Sequence, residues 1–361
     1  MSFRKNVFIL GAGFSTDAGA KTMDQFFPHA RDLRDDPASA LTSEDKEIFG
    51  RVIAYRFGLN KALAKIQEDL DNIEKLFGFL EMEIQLIPNA NQQLRDDMKY
   101  LIGRTLEVDT FAPPLNPQPA RFAARGLGHV ENQYRFFVET VSGLSSERKR
   151  QGNRAVDSII TFNYDLVLER ELEDLKIKPL YNCGPNAEYS QAFRNERNEL
   201  NLLKLHGSMN WGICRDCNRL CHLLYNQYLV KALPENRCTQ CRKAITSLLI
   251  VPPTWNKGTE EEFVRYVWKA ALKELLEAGR IFIVGYSFPE TDQFFKYMLG
   301  LALAHNDNLS EIYIVNPDEN VWMRFKTLFN PYFGRRTVHR YEKGHTDQII
   351  PDIPYLTKRT V

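Results

Sequence analysis

Two regimes of apolar spacing alternate along this chain. Short, nearly unbroken apolar runs occur at Val7-Phe8-Ile9-Leu10, Ser158 to Phe162, Leu202 to Leu205, Arg280 to Val284 and Glu311 to Val315. Runs of this length bounded by turn formers predict strands buried on both faces, as in a parallel sheet. Each run leads directly into Gly, Asn or His, at Gly11, Asn163, His206, Gly285 and Asn316. In a parallel sheet that is the edge where ligands bind. The second regime fills residues 30–150. Leu63, Ile66, Leu70, Ile73, Phe77 and Leu80 recur at three- and four-residue steps, and Phe136, Phe137 and Val141 fit the same period. Such spacing predicts helices. FAPPLNPQPAR (111–121), with four prolines, divides that region in two. Further helices are expected over Leu166–Leu175, 261–279 and 291–305.

The pattern predicts an α/β protein with a Rossmann-like, doubly wound parallel sheet. Its core would be assembled from residues 1–29, 151–212 and 245–340. A helical insertion (30–150) and a small cysteine-bearing module (213–244) would flank it, with a tail at 341–361.

Composition narrows the function classes only slightly. Lys+Arg number 47 and Asp+Glu 46, a formal charge of +1 over 361 residues. That balance gives no global support for a nucleic-acid or membrane-surface protein. The basic run SSERKRQGNR (145–154) reads as a solvated loop. No apolar run approaches the roughly 18–20 residues that span a bilayer. The N-terminal apolar run is also shorter than a signal-peptide core of about 7–15. A cytoplasmic location is expected. In a reducing compartment the six cysteines are better metal ligands or buried thiols than disulfides.

Candidate chemistry sits at the predicted strand ends. Gly11, Gly13 and Gly19 form G-x-G-x5-G after the first strand. Glycines there let a backbone approach a pyrophosphate, and also suit a tight turn with no ligand. Asn163 and Asp165 lie two residues apart in TFNYD. Asp165 would serve equally as a helix cap. His206 in LHGS has the chemistry of a general base near neutral pH, and equally of a structural hydrogen-bonder. The most specific signal is Cys214-x2-Cys217, twenty residues, then Cys238-x2-Cys241. Four thiolates at this spacing suit structural Zn2+ with no open position. Cys221 and His222 are alternative ligands within the same module, and Cys183 reads as a buried thiol. Arg215, Arg219, Lys231, Arg237 and Arg242 make the module basic to an ordinary degree, so nucleic acid is not directly indicated.

The order of these motifs resembles the sirtuin-type NAD-binding fold. A glycine loop with Ser15 comes first, then NxD after a strand, HG, two CxxC pairs, Gly285-x-Ser287, and a strand ending in Asn316. The resemblance runs from Val7 to about Asp318 and implies roles residue by residue. Gly11, Ala12, Gly13 and Ser15 would hold the NAD phosphates. Asn163 would position the nicotinamide ribose and water. Asp165 would bond the nicotinamide carboxamide. His206 would act as base on the ribose hydroxyls. Gly285, Ser287 and Asn316 would contact the adenosine half. Asp24 would stand in for an acidic residue of the deacylase GIPDFR segment, whose arginine is missing here. The family's TQNID is TFNYD here, so Phe162 and Tyr164 replace Gln and Ile.

The segment that pairs with an acyl-lysine peptide in deacylases is replaced by LLIVPPTWNKGTEEEF (248–263). Its prolines disfavour strand addition by a peptide. TFNYD, DNIEKLF (71–77) and PPTWNK look instead like bacterial sirtuin-like effectors of anti-phage defence, whose activity is NAD hydrolysis. The implied function is therefore a gated NAD glycohydrolase that consumes NAD and carries structural zinc. Gating would come through a homo-oligomer or through a partner such as a ring ATPase or an Argonaute-like sensor. A protein-lysine deacylase or ADP-ribosyltransferase is the alternative. A non-catalytic binder of NAD, ADP-ribose or nucleic acid is the third reading.

Overall fold

A computed structural model describes residues 5–59, 69–110, 128–143, 157–185, 187–188, 198–223, 229–251, 261–329 and 337–341. Leu63, Ile66, the proline-rich 111–121, the basic run 145–154, PPTWNK and the tail from 342, with His345, lie outside them.

Seven parallel strands form the main sheet, in the order β11-β10-β9-β1-β2-β5-β3. They are β1 (Asn6–Leu10), β2 (Ser158–Thr161), β3 (Ile177–Leu180), β5 (Asn198–Lys204), β9 (Arg280–Val284), β10 (Glu311–Val315) and β11 (Thr337–Tyr341). Every residue of β1, β2 and β9 is buried, which is why the central residues of these strands are apolar on both faces. The chain builds outward from β1 through β2 on one side, then returns to build β9, β10 and β11 on the other. That reversal is the topological switch point of a doubly wound sheet. The strands beside it end level: Leu10 pairs with Thr161 and Val284, and Val284 with Val315. Gly11, Phe162, Gly285 and Asn316 are thus the first residues past four adjacent strand ends.

A second sheet, β4-β7-β6-β8, is formed by β4 (Ala187–Glu188), β6 (Gly207–Cys214), β7 (Arg219–His222) and β8 (Ser247–Ile250). β6 starts three residues after β5 ends, so His206 sits where the chain leaves one sheet for the other. Gly207 makes that passage with φ +86°, and a Cβ there would lie 2.0 Å from the Leu249 carbonyl oxygen. The glycine of the HG pair is a backbone necessity.

Five helices precede β2 in the described residues: α1 (Met23–Asp35), α2 (Ser43–Gly58), α3 (Ile73–Leu86), α4 (Gln93–Thr110) and α5 (Gly128–Val141). Leu70, one of the residues expected to be helical, lies in the turn before α3. α3 starts at Ile73 because the Asn72 side chain accepts from the backbone N–H of Glu74 and Lys75. Residues of α1 to α4 share a core with the cysteine module: Phe49, Leu76, Met98 and Leu101 belong with Cys214, Val230, Cys238 and Leu248. Helical segment and cysteine module thus pack against each other. α6 (Val167–Asp174), α7 (Glu261–Glu277), α8 (Gln293–His305) and α9 (Glu319–Phe329) complete the described helices. No described helix is long and apolar enough to cross a membrane.

Candidate active site

The glycine loop is locked to the turn after β9 by backbone alone. Gly11 N–H donates to the Val284 carbonyl (3.1 Å) and Gly13 N–H to the Gly285 carbonyl (2.9 Å). A Cβ on Gly11 would stand 2.5 Å from Tyr286 Cα, and one on Gly285 2.3 Å from the Phe14 nitrogen. Gly11 and Gly285 are therefore required by the close approach of two turns, whatever ligand the loop holds. Gly285 also sits at φ +61°, in the left-handed region that favours glycine.

Asn163 fastens that loop to β2. Its Nδ2 donates to the Gly11 carbonyl and to Ser15 Oγ, both at 2.9 Å. A carbonyl oxygen accepts only, so the amide orientation is determined by this network. Oδ1 is the atom Asn163 can offer a ligand, and it is an acceptor. Asn163 is half-buried and Ser15 buried. Thr161 Oγ1 supports the turn by accepting from Asn163 N–H at 3.1 Å.

His206 follows β5, the strand next to β2, and is 3% exposed. Phe162 packs edge-on against it, with ring centroids 5.2 Å apart, and stacks on Tyr286 at 4.3 Å. The residue standing where the sirtuin pattern has Gln is thus a core aromatic. His206 Nε2 lies 3.4 Å from Asp292 Oδ1, and Asp292 Oδ2 accepts from the Tyr286 hydroxyl at 2.7 Å. Asp292 is itself 4% exposed. Glu74 enters from the first turn of α3 and accepts from Thr291 Oγ1 at 3.0 Å. Burial and the neighbouring Asp292 charge push Glu74 up to about 7, against the pull of His206 and the Thr291 bond. Burial and the same carboxylates also hold the Tyr164 and Tyr286 hydroxyls protonated, well above their ordinary range. Glu74, Asp292 and Tyr286 were not among the sequence candidates. Glu74 lies within DNIEKLF, one of the segments that carried the resemblance, and Tyr286 within Gly285-x-Ser287.

The remaining candidates are placed less centrally. Asp165 is buried and accepts from the Val167 N–H at 3.1 Å, one residue ahead of Leu166, which occupies the N-cap position of α6. Ala12 lies in the glycine loop, between Gly11 and Gly13. Asn316 bridges the ends of β10 and β9, its Nδ2 reaching the Tyr286 carbonyl at 3.5 Å. Ser287 is exposed, and its carbonyl accepts from Arg324. Asp24 is exposed in the first turn of α1, where it accepts from Thr22 Oγ1 at 2.6 Å. No hydrogen bond joins Asp24 to Asn163 or His206 among the described residues.

The sulfur atoms of Cys214, Cys217, Cys238 and Cys241 all lie within 4.8 Å of one another. Two pairs, Cys214–Cys241 and Cys217–Cys238, approach to 3.4 Å. Sulfurs at the corners of a zinc tetrahedron stand about 3.8 Å apart for Zn–S bonds of ~2.3 Å, so the cluster fits zinc. The residue after each CxxC turns back in the left-handed region, Asn218 at φ +46° and Arg242 at φ +62°. Burial opposes ionisation of Cys238. The backbone N–H groups of Cys241 and Gln240 outweigh it and bring that thiol down to about 6. Cys221 and His222 are outside the cluster. His222 instead faces the rings of Tyr181 and Trp211. Arg215 is bound to Asp96 of α4 at 2.6 and 2.9 Å, and Lys243 to Asp216. Arg219 bonds to Gln240 at 2.9 Å, and Arg237 to the Pro234 carbonyl.

Residues 157–328 match the family model of the SIR2-like domain. That stretch holds Asn163, Asp165, His206, the four cysteines, Gly285, Ser287 and Asn316. The glycine loop and α1 to α5 precede it. No curated protein matches the chain. Among solved structures, one described as the structural basis for the mechanism and regulation of Sir2 enzymes has 16% identity and a TM-score of 0.44, covering 99% of this chain and 94% of that one. Sir2Tm bound to a propionylated peptide has 12% identity and a TM-score of 0.39, with 98% and 93% covered.

Proposed function

We propose that the protein hydrolyses NAD at the nicotinamide–ribose bond. Water is the acceptor, and nicotinamide, ADP-ribose and a proton are the products. The observation that carries this reading is Asn163. It is tied through Nδ2 to the glycine loop and offers Oδ1 beside the strand end that bears His206, within a SIR2-like stretch. Cleavage builds positive charge at the anomeric carbon, so the site must orient the cationic leaving group and accept protons from the nucleophile. An acceptor oxygen at Asn163 suits a water or ribose hydroxyl that must be held by its hydrogen. His206 takes the proton as base. Gly11, Ala12, Gly13 and Ser15 receive the pyrophosphate, and Gly285, Ser287 and Asn316 the adenosine half. Asp165 bonds the nicotinamide carboxamide. Zn2+ held by Cys214, Cys217, Cys238 and Cys241 braces the fold and has no open position for chemistry.

Water rather than a peptide is favoured by the surroundings of β8, where a deacylase substrate would add its strand. β8 is a terminal strand of its sheet. Ser247 Oγ bonds to Asp96 of α4 at 3.1 Å, and Leu248 packs on Gly103 of the same helix. Consecutive strand side chains point to opposite faces, so a helix touching both lies along the strand's outer edge.

Burial of His206 and Asp292 supports a resting site that must open. Gating through a homo-oligomer or a partner protein, in a defence role that spends cellular NAD, follows as part of the same proposal. A monomer fully active without any trigger refutes the gating. The reaction itself is tested in 18O-labelled water. Hydrolysis places the label in ADP-ribose with or without an acyl-lysine peptide. Exclusive formation of O-acyl-ADP-ribose refutes it.

A further inference from the structure

We propose that Asp292 and Glu74 are positioning residues for His206, Asp292 orienting the imidazole through Nε2 and Glu74 setting the charge of that pair from the helical segment. The inference deepens the reading of His206 as the base and rests on it.

Asp292 Oδ1 makes no hydrogen bond among the described residues, although the side chain is buried. The titratable group that faces it is His206 Nε2, at 3.4 Å. The other carboxylate oxygen is anchored by the Tyr286 hydroxyl. A buried carboxylate held on one side and aimed at an imidazole on the other fixes the ring and favours its protonated form. Glu74 is attached one residue away, through the hydroxyl of Thr291.

The groups around His206 can be named element by element. α3 brings Glu74. The turn after β9 brings Tyr286 and Asp292. The turn after β2 brings Tyr164, its ring centroid 6.2 Å from the imidazole. α7 brings the indole of Trp268, which donates to the Leu205 carbonyl at 3.0 Å. The end of β8 contributes backbone, with Val251 N–H donating to the His206 carbonyl at 2.9 Å. Lys204, the nearest cation along the strand, is committed to Glu169 at 2.7 Å.

Two carboxyl groups and one imidazole thus share a space withdrawn from water. One imidazolium balances one carboxylate. A second ionised carboxylate has no such partner there among the described residues, and burying it is costly. Glu74 therefore carries the balancing proton, and its ionisation adds a negative charge that holds the imidazole protonated to higher pH. α3 precedes the SIR2-like stretch, so the placement of the helical segment sets the readiness of the base.

The test is the titration of the His206 imidazole, followed by NMR on selectively labelled full-length protein without NAD. Wild type is compared with Glu74→Gln and Asp292→Asn, and the acidic limb of kcat/KM for NAD is recorded alongside. Removing a neighbouring negative charge lowers an imidazole's midpoint. Asp292→Asn should lower it by about 1–3 units and Glu74→Gln by about one. The acidic limb should move to lower pH with each. Asp292→Asn should also reduce kcat by about tenfold or more, because the ring loses its anchor. A merely structural role would lower thermal stability and leave the midpoint in place. An unchanged midpoint in folded Glu74→Gln overturns the proposal, and this near-isosteric change decides the matter even if Asp292→Asn does not fold. If NAD is consumed only with an acyl-lysine peptide while the midpoint shifts as stated, the hydrolase reading fails and the positioning holds.

Discussion

Replacing Gly285 by alanine tests how the glycine loop is held. The residue sits at φ +61°, and a Cβ would lie 2.3 Å from the Phe14 nitrogen and 2.5 Å from the Gly13 carbonyl carbon. Ordinary contact begins near 3.4 Å, so the two turns must part by about 1 Å, and both neighbours are backbone. The left-handed conformation costs an alanine roughly 1–2 kcal/mol. Separation weakens the Gly13 to Gly285 bond, worth about 0.5–1.5 kcal/mol. A loss of about 2–3 kcal/mol is expected. Because Asn163 bonds to Gly11 and Ser15, the displacement is passed to it, and a misplacement of ~1 Å costs roughly a hundredfold in rate. Gly300→Ala is the internal control. It lies within α8 with nothing within 4 Å of the added methyl, and should stabilise by about 0.5–1 kcal/mol. Urea unfolding of both variants, with kcat/KM for NAD, measures the contrast. A Gly285→Ala protein within about 0.5 kcal/mol of wild type and fully active would refute the reasoning.

Cys214→Ser should lose bound zinc and melt at a clearly lower temperature, because structural zinc is coupled to folding and Cys214 lies in the core shared with α1 to α4. Metal analysis beside thermal unfolding checks this, and a zinc-free variant with unchanged melting would contradict it. Lys204→Met leaves the Glu169 carboxylate buried without its partner, both side chains being 2% exposed. A loss of about 3–5 kcal/mol is expected, much of it restored by adding Glu169→Gln, as read by denaturant midpoints. Glu74 titrates near 7 in the fold against an ordinary 4.5. Its contribution to stability is therefore complete below about pH 4.5 and is lost as pH rises through about 7. The difference is roughly 3 kcal/mol, and the stability profile of Glu74→Gln should be flatter over that interval.

The main sheet was legible where the strands are buried on both faces. β1, β2, β9 and β10, with the apolar half of β5, were written as continuous apolar runs. β3 and β11, the outer strands, carry Lys178 and Pro179, and His339 and Arg340. Their half-exposed positions erase that signal. The small mixed sheet was invisible because Gly207 and Gly212, with a register shift between them, break the alternation of β6. The four cysteines were readable from spacing because tetrahedral metal binding constrains it. Glu74 and Asp292 were not, since 217 positions separate Glu74 from the threonine it bonds and no local pattern records such a contact. Gly11, Gly13 and Gly285 read as a ligand cradle. The structure adds a second cause for all three, the mutual approach of two turns.

The central claim is tested most directly by measuring nicotinamide and ADP-ribose released from NAD by the purified full-length protein. Wild type should be compared with Asn163→Ala and His206→Ala, each with and without an acyl-lysine peptide. The account predicts release that does not depend on peptide and falls by about a hundredfold or more in both folded variants. Turnover that requires the peptide, or that survives both substitutions, would contradict it.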